Sequence, residues 1–371
     1  MLSAQIPESV VAPRIRVLVV DDSVVMRKIL SDKLRDAPDM EVVGIASNGI
    51  IALQRIPQVS PDVVTLDIEM PEMDGLATLR EIKRLYPKIR VLMCSTLTER
   101  GASISIEALS LGADDYITKS SRAQGESAIE AFHDQLLPKI RQFFRDRGPS
   151  SHRNTRPALA APPVANPAPT LVRPATAPRP KVGRPKAVAI GVSTGGPNAL
   201  AVVIPMLPKD FPLPIFIVQH MPPMFTRLLA ERLQSQSLVK VVEAQEGMVA
   251  APGHVYIAPG DYHMCVARKG NAIVLQMNQE PMENSCRPAV DVLFRSVASV
   301  YGGNTISAIL TGMGQDGLRG VEQLRSLGGY VIAQDEATSV VWGMPGFVVR
   351  AGFADSVCDL NSVAPEIVRN L

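Results

Sequence analysis

Short apolar runs alternate with helix-spaced segments along most of this chain. Ile15–Val20, Val42–Ala46, Val63–Leu66, Val91–Cys94 and Tyr116–Thr118 have the length and β-branched content of buried strands. Between them, helical spacing covers Gly49–Ile56, Leu76–Tyr86 and Ala102–Leu111, with a last helix near Ser127–Arg145 that Pro138 is expected to interrupt. Ser23 suits the cap of the first helix, whose apolar face takes Val25, Met26, Ile29, Leu30 and Leu34. Strand-helix alternation of this kind predicts an α/β domain over 14–145, a parallel sheet covered on both faces.

A second α/β pattern runs over 186–371. Val188–Ile190, Leu213–Val218, Val241–Ala244, His254–Ala258, Thr305–Leu310, Tyr330–Ala333 and Ser356–Asp359 read as strands. Met264–Ala267 and Ala272–Met277, joined by Arg268-Lys269-Gly270-Asn271, read as a β-hairpin. Helices are expected at Ala289–Tyr301, near Phe347, and after the glycine-rich turn Thr311–Gly317. This domain is therefore also doubly wound and largely parallel, Rossmann-like in layout, with one hairpin.

Between the two patterns, 149–185 is dominated by Pro, Ala, Arg and Thr and cannot build a core. Arg-Pro-Lys-Val-Gly-Arg-Pro-Lys within it faintly resembles a minor-groove arm, but a solvated tether is the reading adopted. At 371 residues the chain has room for two cores. A net charge of +2 demands no polyanionic partner, so no nucleic acid is expected. Cys94, Cys265, Cys286 and Cys358 are scattered, which argues against a disulfide framework or a zinc motif and fits a cytoplasmic setting. No run is long enough to span a bilayer, and the first residues lack signal-peptide character, so no membrane insertion is expected.

Charge placement gives the first domain its chemistry. Asp21 and Asp22 end the first strand, Asp67 the third and Ser95 the fourth, while Lys119 follows the fifth. A doubly wound sheet gathers all of these at one carboxyl edge. Carboxylates so crowded suit a hard cation such as Mg²⁺, which offsets charge on an incoming phosphoryl group. The motifs V-L-V-V-D-D-S, D-V-V-T-L-D-I-E-M-P-E-M-D-G, V-L-M-C-S-T and A-D-D-Y-I-T-K closely resemble the receiver domain of two-component response regulators, which is flavodoxin-like. That resemblance implies Asp67 as acceptor of a phosphoryl group from a histidine kinase. It implies Asp21, Asp22, Asp67 and the Glu69 carbonyl as Mg²⁺ ligands, Ser95 and Lys119 as phosphoryl contacts, and Tyr116 as a switch aromatic. Ser120 stands where such domains usually have proline.

In the second domain, Gly191-Val192-Ser193-Thr194-Gly195-Gly196 forms a sharp turn after an apolar strand, and Pro197 suits the start of a helix. A serine there presents its hydroxyl at the sheet's carboxyl edge, near helix-start N–H groups fit for an oxyanion. A phosphate-binding turn is the alternative. A nucleophilic serine needs a base and an orienting acid. His220 follows a buried strand and belongs to the same edge, whereas His254 opens its strand and His263 lies in a loop able to line a pocket. Asp316 follows Thr305–Leu310 to that edge, with Asp261, Asp291 and Asp335 left open by spacing.

G-V-S-T-G-G-P, V-Q-H-M-P-P, I-L-T-G-M-G-Q-D-G and A-Q-D-E-A-T-S-V-V-W-G-M-P-G resemble the catalytic domain of the chemotaxis response regulator protein-glutamate methylesterases. The resemblance implies Ser193 as nucleophile, His220 as general base and acid, and Asp316 as the residue orienting it, with Thr194 and Met313 bordering the site. It implies hydrolysis of glutamate methyl esters on chemoreceptors, with deamidation of glutamine and no catalytic cofactor. It further implies a monomer in which the receiver gates the catalytic edge. A receiver-linked DNA-binding regulator is disfavoured because no helix-turn-helix signal is present, and a silent adaptor because all three triad positions are filled.

Overall fold

The computed structural model describes residues 13–96, 98–119, 135–144, 180 and 182–371. Ser120, nearly all of 149–185 and the first part of the helix expected near Ser127–Arg145 lie outside the described residues.

The first domain orders its strands β2-β1-β3-β4-β5, all parallel. They are β1 (Ile15–Val20), β2 (Met40–Ala46), β3 (Val63–Asp67), β4 (Arg90–Thr96) and β5 (Asp115–Lys119). Helices α1 (Val24–Asp36), α2 (Gly49–Val59), α3 (Gly75–Leu85) and α4 (Glu99–Ser110) connect them, and residues 135–142 form α5. β3 is buried throughout, as a strand covered on both faces must be. Short polar side chains fix where helices start: Ser23 accepts from Met26 N–H, Asn48 from Ile51 N–H and Asp74 from Ala77 N–H.

Two local expectations are corrected. Val25 is 65% exposed rather than on the core face, because the first turn of α1 rises past the end of β1; Leu30 and Leu34 carry the packing. Residues 135–142 stay helical through Pro138.

The second domain has a seven-stranded parallel sheet ordered β14-β13-β12-β6-β7-β9-β8, with a separate antiparallel hairpin β10-β11. Its strands are β6 (Ala187–Val192), β7 (Ile215–Gln219), β8 (Lys240–Glu243), β9 (His254–Ile257), β12 (Thr305–Ile309), β13 (Tyr330–Gln334) and β14 (Ser356–Cys358). The hairpin is β10 (His263–Lys269) and β11 (Ala272–Asn278). Helices are α6 (Gly196–Val203), α7 (Phe225–Gln236), α8 (Val290–Tyr301), α9 (Leu318–Ser326), α10 (Met344–Arg350) and α11 (Val363–Arg369). β6 lies at the centre with β7 and β12 beside it, so the loops after these three strands converge.

The receiver-like domain packs on that convergence. Tyr116 stacks on Phe225 with ring centroids 4.7 Å apart and planes 7° from parallel. Arg227 pairs with Glu99 at 2.5 Å, and Arg232 donates to the Ile106 carbonyl at 3.4 Å. One buried apolar cluster, including Ile106, Leu109 and Tyr116 on one side and Phe225 and Leu229 on the other, spans both domains.

Candidate active site

The turn after β6 is tight for a steric reason. Gly195 has φ +77°, and a Cβ there would lie 2.7 Å from Val340 Cβ. The turn then opens α6 with Pro197 in its first positions. Ser193 N–H donates to Thr311 O at 3.0 Å, tying the turn to the loop after β12. In that loop a Cβ on Gly312 would sit 2.8 Å from Ser193 Cβ, so glycine is what lets the two turns touch. Met313, partly buried, is the next residue.

His220 directly follows β7, and its N–H donates to Val192 O at 3.2 Å. Gln219 reinforces the neighbourhood by donating from Nε2 to Ser193 O at 2.9 Å and to His220 O at 3.2 Å. The His220 ring places Nε2 2.8 Å from Asp316 Oδ2 and Nδ1 3.6 Å from Cys286 Sγ. Among the described residues no hydrogen bond joins the Ser193 hydroxyl to the ring. Ser193, His220 and Asp316 therefore share one edge, with the histidine and acid already paired.

Asp316 is heavily braced. Besides His220, its carboxylate accepts from Val290 N–H at 2.6 Å, Asp291 N–H at 3.1 Å, Gly317 N–H at 3.0 Å and Asn284 Nδ2 at 2.8 Å. Two of those donors begin α8, where the helix dipole also favours an anion. These bonds and the facing imidazole hold the Asp316 pKa low against its burial. Burial disfavours charge on His220, but the Asp316 carboxylate and the Cys286 contact outweigh it and raise the pKa of the ring.

The sequence pattern alone does not single out Asn284 or Cys286. They sit in a turn at 283–286, where Asn284 and Ser285 have φ +51° and +62° and Glu283 and Cys286 exchange backbone hydrogen bonds. An Asn in a polar segment signals a turn, yet nothing in the local pattern says which acid its amide will meet.

The remaining candidates separate cleanly. His263 is buried, with Nε2 near Pro281 O at 3.1 Å and Nδ1 accepting from Ala289 N–H at 3.2 Å, so it joins backbone segments rather than lining a pocket. His254 is engaged by Pro252 O at the start of β9. Asp261 pairs with Arg287, Asp291 accepts from Asn284 and Gly320 N–H, and Asp335 accepts from Thr338 N–H. Thr194 borders the site but faces the other domain. It is only 7% exposed, and its hydroxyl lies 3.2 Å from Asp115 Oδ2 and 3.3 Å from Gln142 Oε1.

The acidic site of the first domain forms as the strand ends dictate. Asp21, Asp22 and Asp67 each offer a carboxylate oxygen within 4.8 Å of the others. Lys119 Nζ lies 2.8 Å from both Asp21 Oδ2 and Asp67 Oδ1. Burial raises the Asp67 pKa to about 6, partly opposed by the Lys119 ammonium. Glu69 and Ser95 line the adjoining 180 Å³ cavity, with the Ser95 hydroxyl donating to Gly101 O at 2.9 Å. An all-oxygen donor set with one lysine fits Mg²⁺.

Comparisons with known proteins place both domains in known families. Residues 188–367 match the CheB methylesterase family model, and residues 17–129 match the response regulator receiver domain. A protein-glutamate methylesterase/protein-glutamine glutaminase of Trichodesmium erythraeum is 48% identical over 97% of this chain and 99% of its own. One from Nocardioides is 47% identical over 97% and 96%. The CheB methylesterase catalytic domain of Thermotoga maritima superposes with a TM-score of 0.50 at 44% identity, covering 51% of this chain and all of that one. Among the described residues no helix is long and apolar enough to cross a membrane. With relatives this similar along nearly its whole length, and both domains matched in order, the chain belongs to the CheB methylesterase family, a receiver domain followed by a methylesterase domain.

Proposed function

We propose that this chain hydrolyses methyl esters of glutamate side chains on chemoreceptors, releasing methanol, and deamidates glutamines at the same site. The observation that carries the triad is the His220–Asp316 hydrogen bond of 2.8 Å on the sheet edge that also holds the Ser193 turn. Asp316 occupies Nε2, so Nδ1 is the nitrogen that takes the Ser193 proton as the hydroxyl attacks the ester carbonyl. For that transfer the Ser193 hydroxyl must turn to Nδ1 in place of the Cys286 thiol, which holds that nitrogen at 3.6 Å in the resting structure. The backbone N–H groups of Thr194 and Gly195 stabilise the oxyanion, a contribution of roughly 3–4 kcal/mol in comparable sites, since those of Ser193 and Gly196 are already bonded to Thr311 O and Ser193 O. His220 then protonates the departing methanol or ammonia, and water attacks the acyl-serine with His220 again as base.

The receiver acts as a gate. A histidine kinase phosphorylates Asp67; Asp21, Asp22, Asp67 and the Glu69 carbonyl would hold Mg²⁺, which would offset phosphoryl charge. β5 carries Lys119 at one end and Asp115 and Tyr116 at the other, so rearrangement about Asp67 reaches Thr194 and Phe225 through one strand. The test is methanol release from methylated receptor membranes: Ser193→Ala should abolish it, and retained turnover would refute the triad.

A further inference from the structure

Cys286 lies on the ring nitrogen that catalysis requires, and the triad gives it no role. Its turn is fastened from both sides. Glu283 pairs with Arg295 through contacts of 2.7 and 2.5 Å, and Arg287 pairs with Asp261 through contacts of 3.0 and 2.7 Å. Sγ is thus held at its distance from His220 by the frame around it. That distance can be compared with metal coordination. Zinc bonds of about 2.05 Å to imidazole nitrogen and about 2.3 Å to thiolate sulfur, opened to a tetrahedral angle, separate nitrogen from sulfur by about 3.6 Å. Nδ1 and Sγ are 3.6 Å apart.

The other ring nitrogen completes the pattern. Zinc-binding histidines usually donate their second N–H to a carboxylate, which fixes the tautomer and makes the ligating nitrogen more basic. His220 does this from Nε2, with the Asp316 carboxylate accepting at 2.8 Å. Ligand atoms of His220, Cys286 and Asp316 all lie within 4.8 Å of one another, but the Asp316 oxygens are already committed to five donors. Asp316 therefore serves as the outer carboxylate.

We infer that His220 Nδ1 and Cys286 Sγ form a two-point site for a thiophilic divalent cation such as Zn²⁺, whose occupation blocks the catalytic base. The thiol proton leaves as the ion binds, and water fills the remaining tetrahedral positions. A soft sulfur and an imidazole select Zn²⁺ over Mg²⁺, which keeps the site distinct from the all-oxygen cluster at Asp67. The inhibitory consequence rests on His220 being the base; the binding itself does not.

The test uses metal-stripped full-length protein with Mg²⁺ saturating. Addition of Co²⁺ should produce the near-ultraviolet thiolate-to-cobalt charge-transfer band, and Zn²⁺ should displace it. Zn²⁺ should also inhibit methanol release reversibly, recovered by a chelator. Cys286→Ala and Cys286→Ser, each checked for native circular dichroism, should lose the band and raise the half-inhibiting Zn²⁺ concentration at least about tenfold. An unchanged band or unchanged inhibition in either folded variant, or no band in the parent protein, would overturn the inference. A cobalt band in protein without esterase activity would instead count against the proposed function and leave the metal site standing.

Discussion

Asn284 is the residue through which structure adds most to the proposed triad, and Asn284→Gly tests it cleanly. Its amide donates to Asp316 Oδ1 at 2.8 Å and to Asp291 Oδ2 at 3.0 Å. Glycine accepts the φ of +51° without strain, so the turn survives while the amide is deleted; alanine would confound the two effects. A hydrogen bond to a charged group contributes about 1.5–3 kcal/mol. Expressed wholly in the barrier, that loss slows the reaction about 10–150-fold. Four other donors still hold Asp316, so the lower end is expected: kcat down about tenfold with KM nearly unchanged. The assay is steady-state methanol release, paired with the low-field imidazole proton resonance of His220, which should move as Asp316 loosens. Asn284→Asp keeps the shape but sets a third carboxylate against Asp316 and Asp291, and should cost at least as much. If folded Asn284→Gly retains parental kcat and an unshifted resonance, Asn284 does not position the acid.

Other outcomes follow from the same geometry. A fragment 186–371 should be more active than unphosphorylated full-length protein, and Asp115→Ala with Tyr116→Ala should raise basal methanol release part of the way; equal activities would remove the gate. Gly312→Ala should cut kcat severely while leaving the fold, because the new methyl lies 2.8 Å from Ser193 Cβ and 2.4 Å from Met344 Sδ; parental turnover would show that the turns can separate freely. Removing Mg²⁺ with a chelator should stop labelling of Asp67 by a small acyl phosphate, measured by intact mass, and undiminished labelling would exclude the acidic cluster as the cation site.

Much of this was legible in the sequence. Strands come out within two residues of where local periodicity places them and Ser23 caps the first helix as expected, whereas α2 runs three residues past Ile56 and α4 starts three residues before Ala102. The gathering of Asp21, Asp67 and Lys119 follows from topology, since parallel strands joined by helices deliver all their carboxyl ends to one edge. The same rule brought Ser193, His220 and Asp316 together. Tertiary structure alone decided which ring nitrogen meets the acid, and that Asn284 and Cys286 attend the pair from one turn. It also removed His263 from contention and laid Asp115 and Tyr116 against Thr194 and Phe225. These contacts join positions tens of residues apart through side-chain orientation and domain docking, and periodicity along a chain encodes only which face a residue occupies, not what will face it.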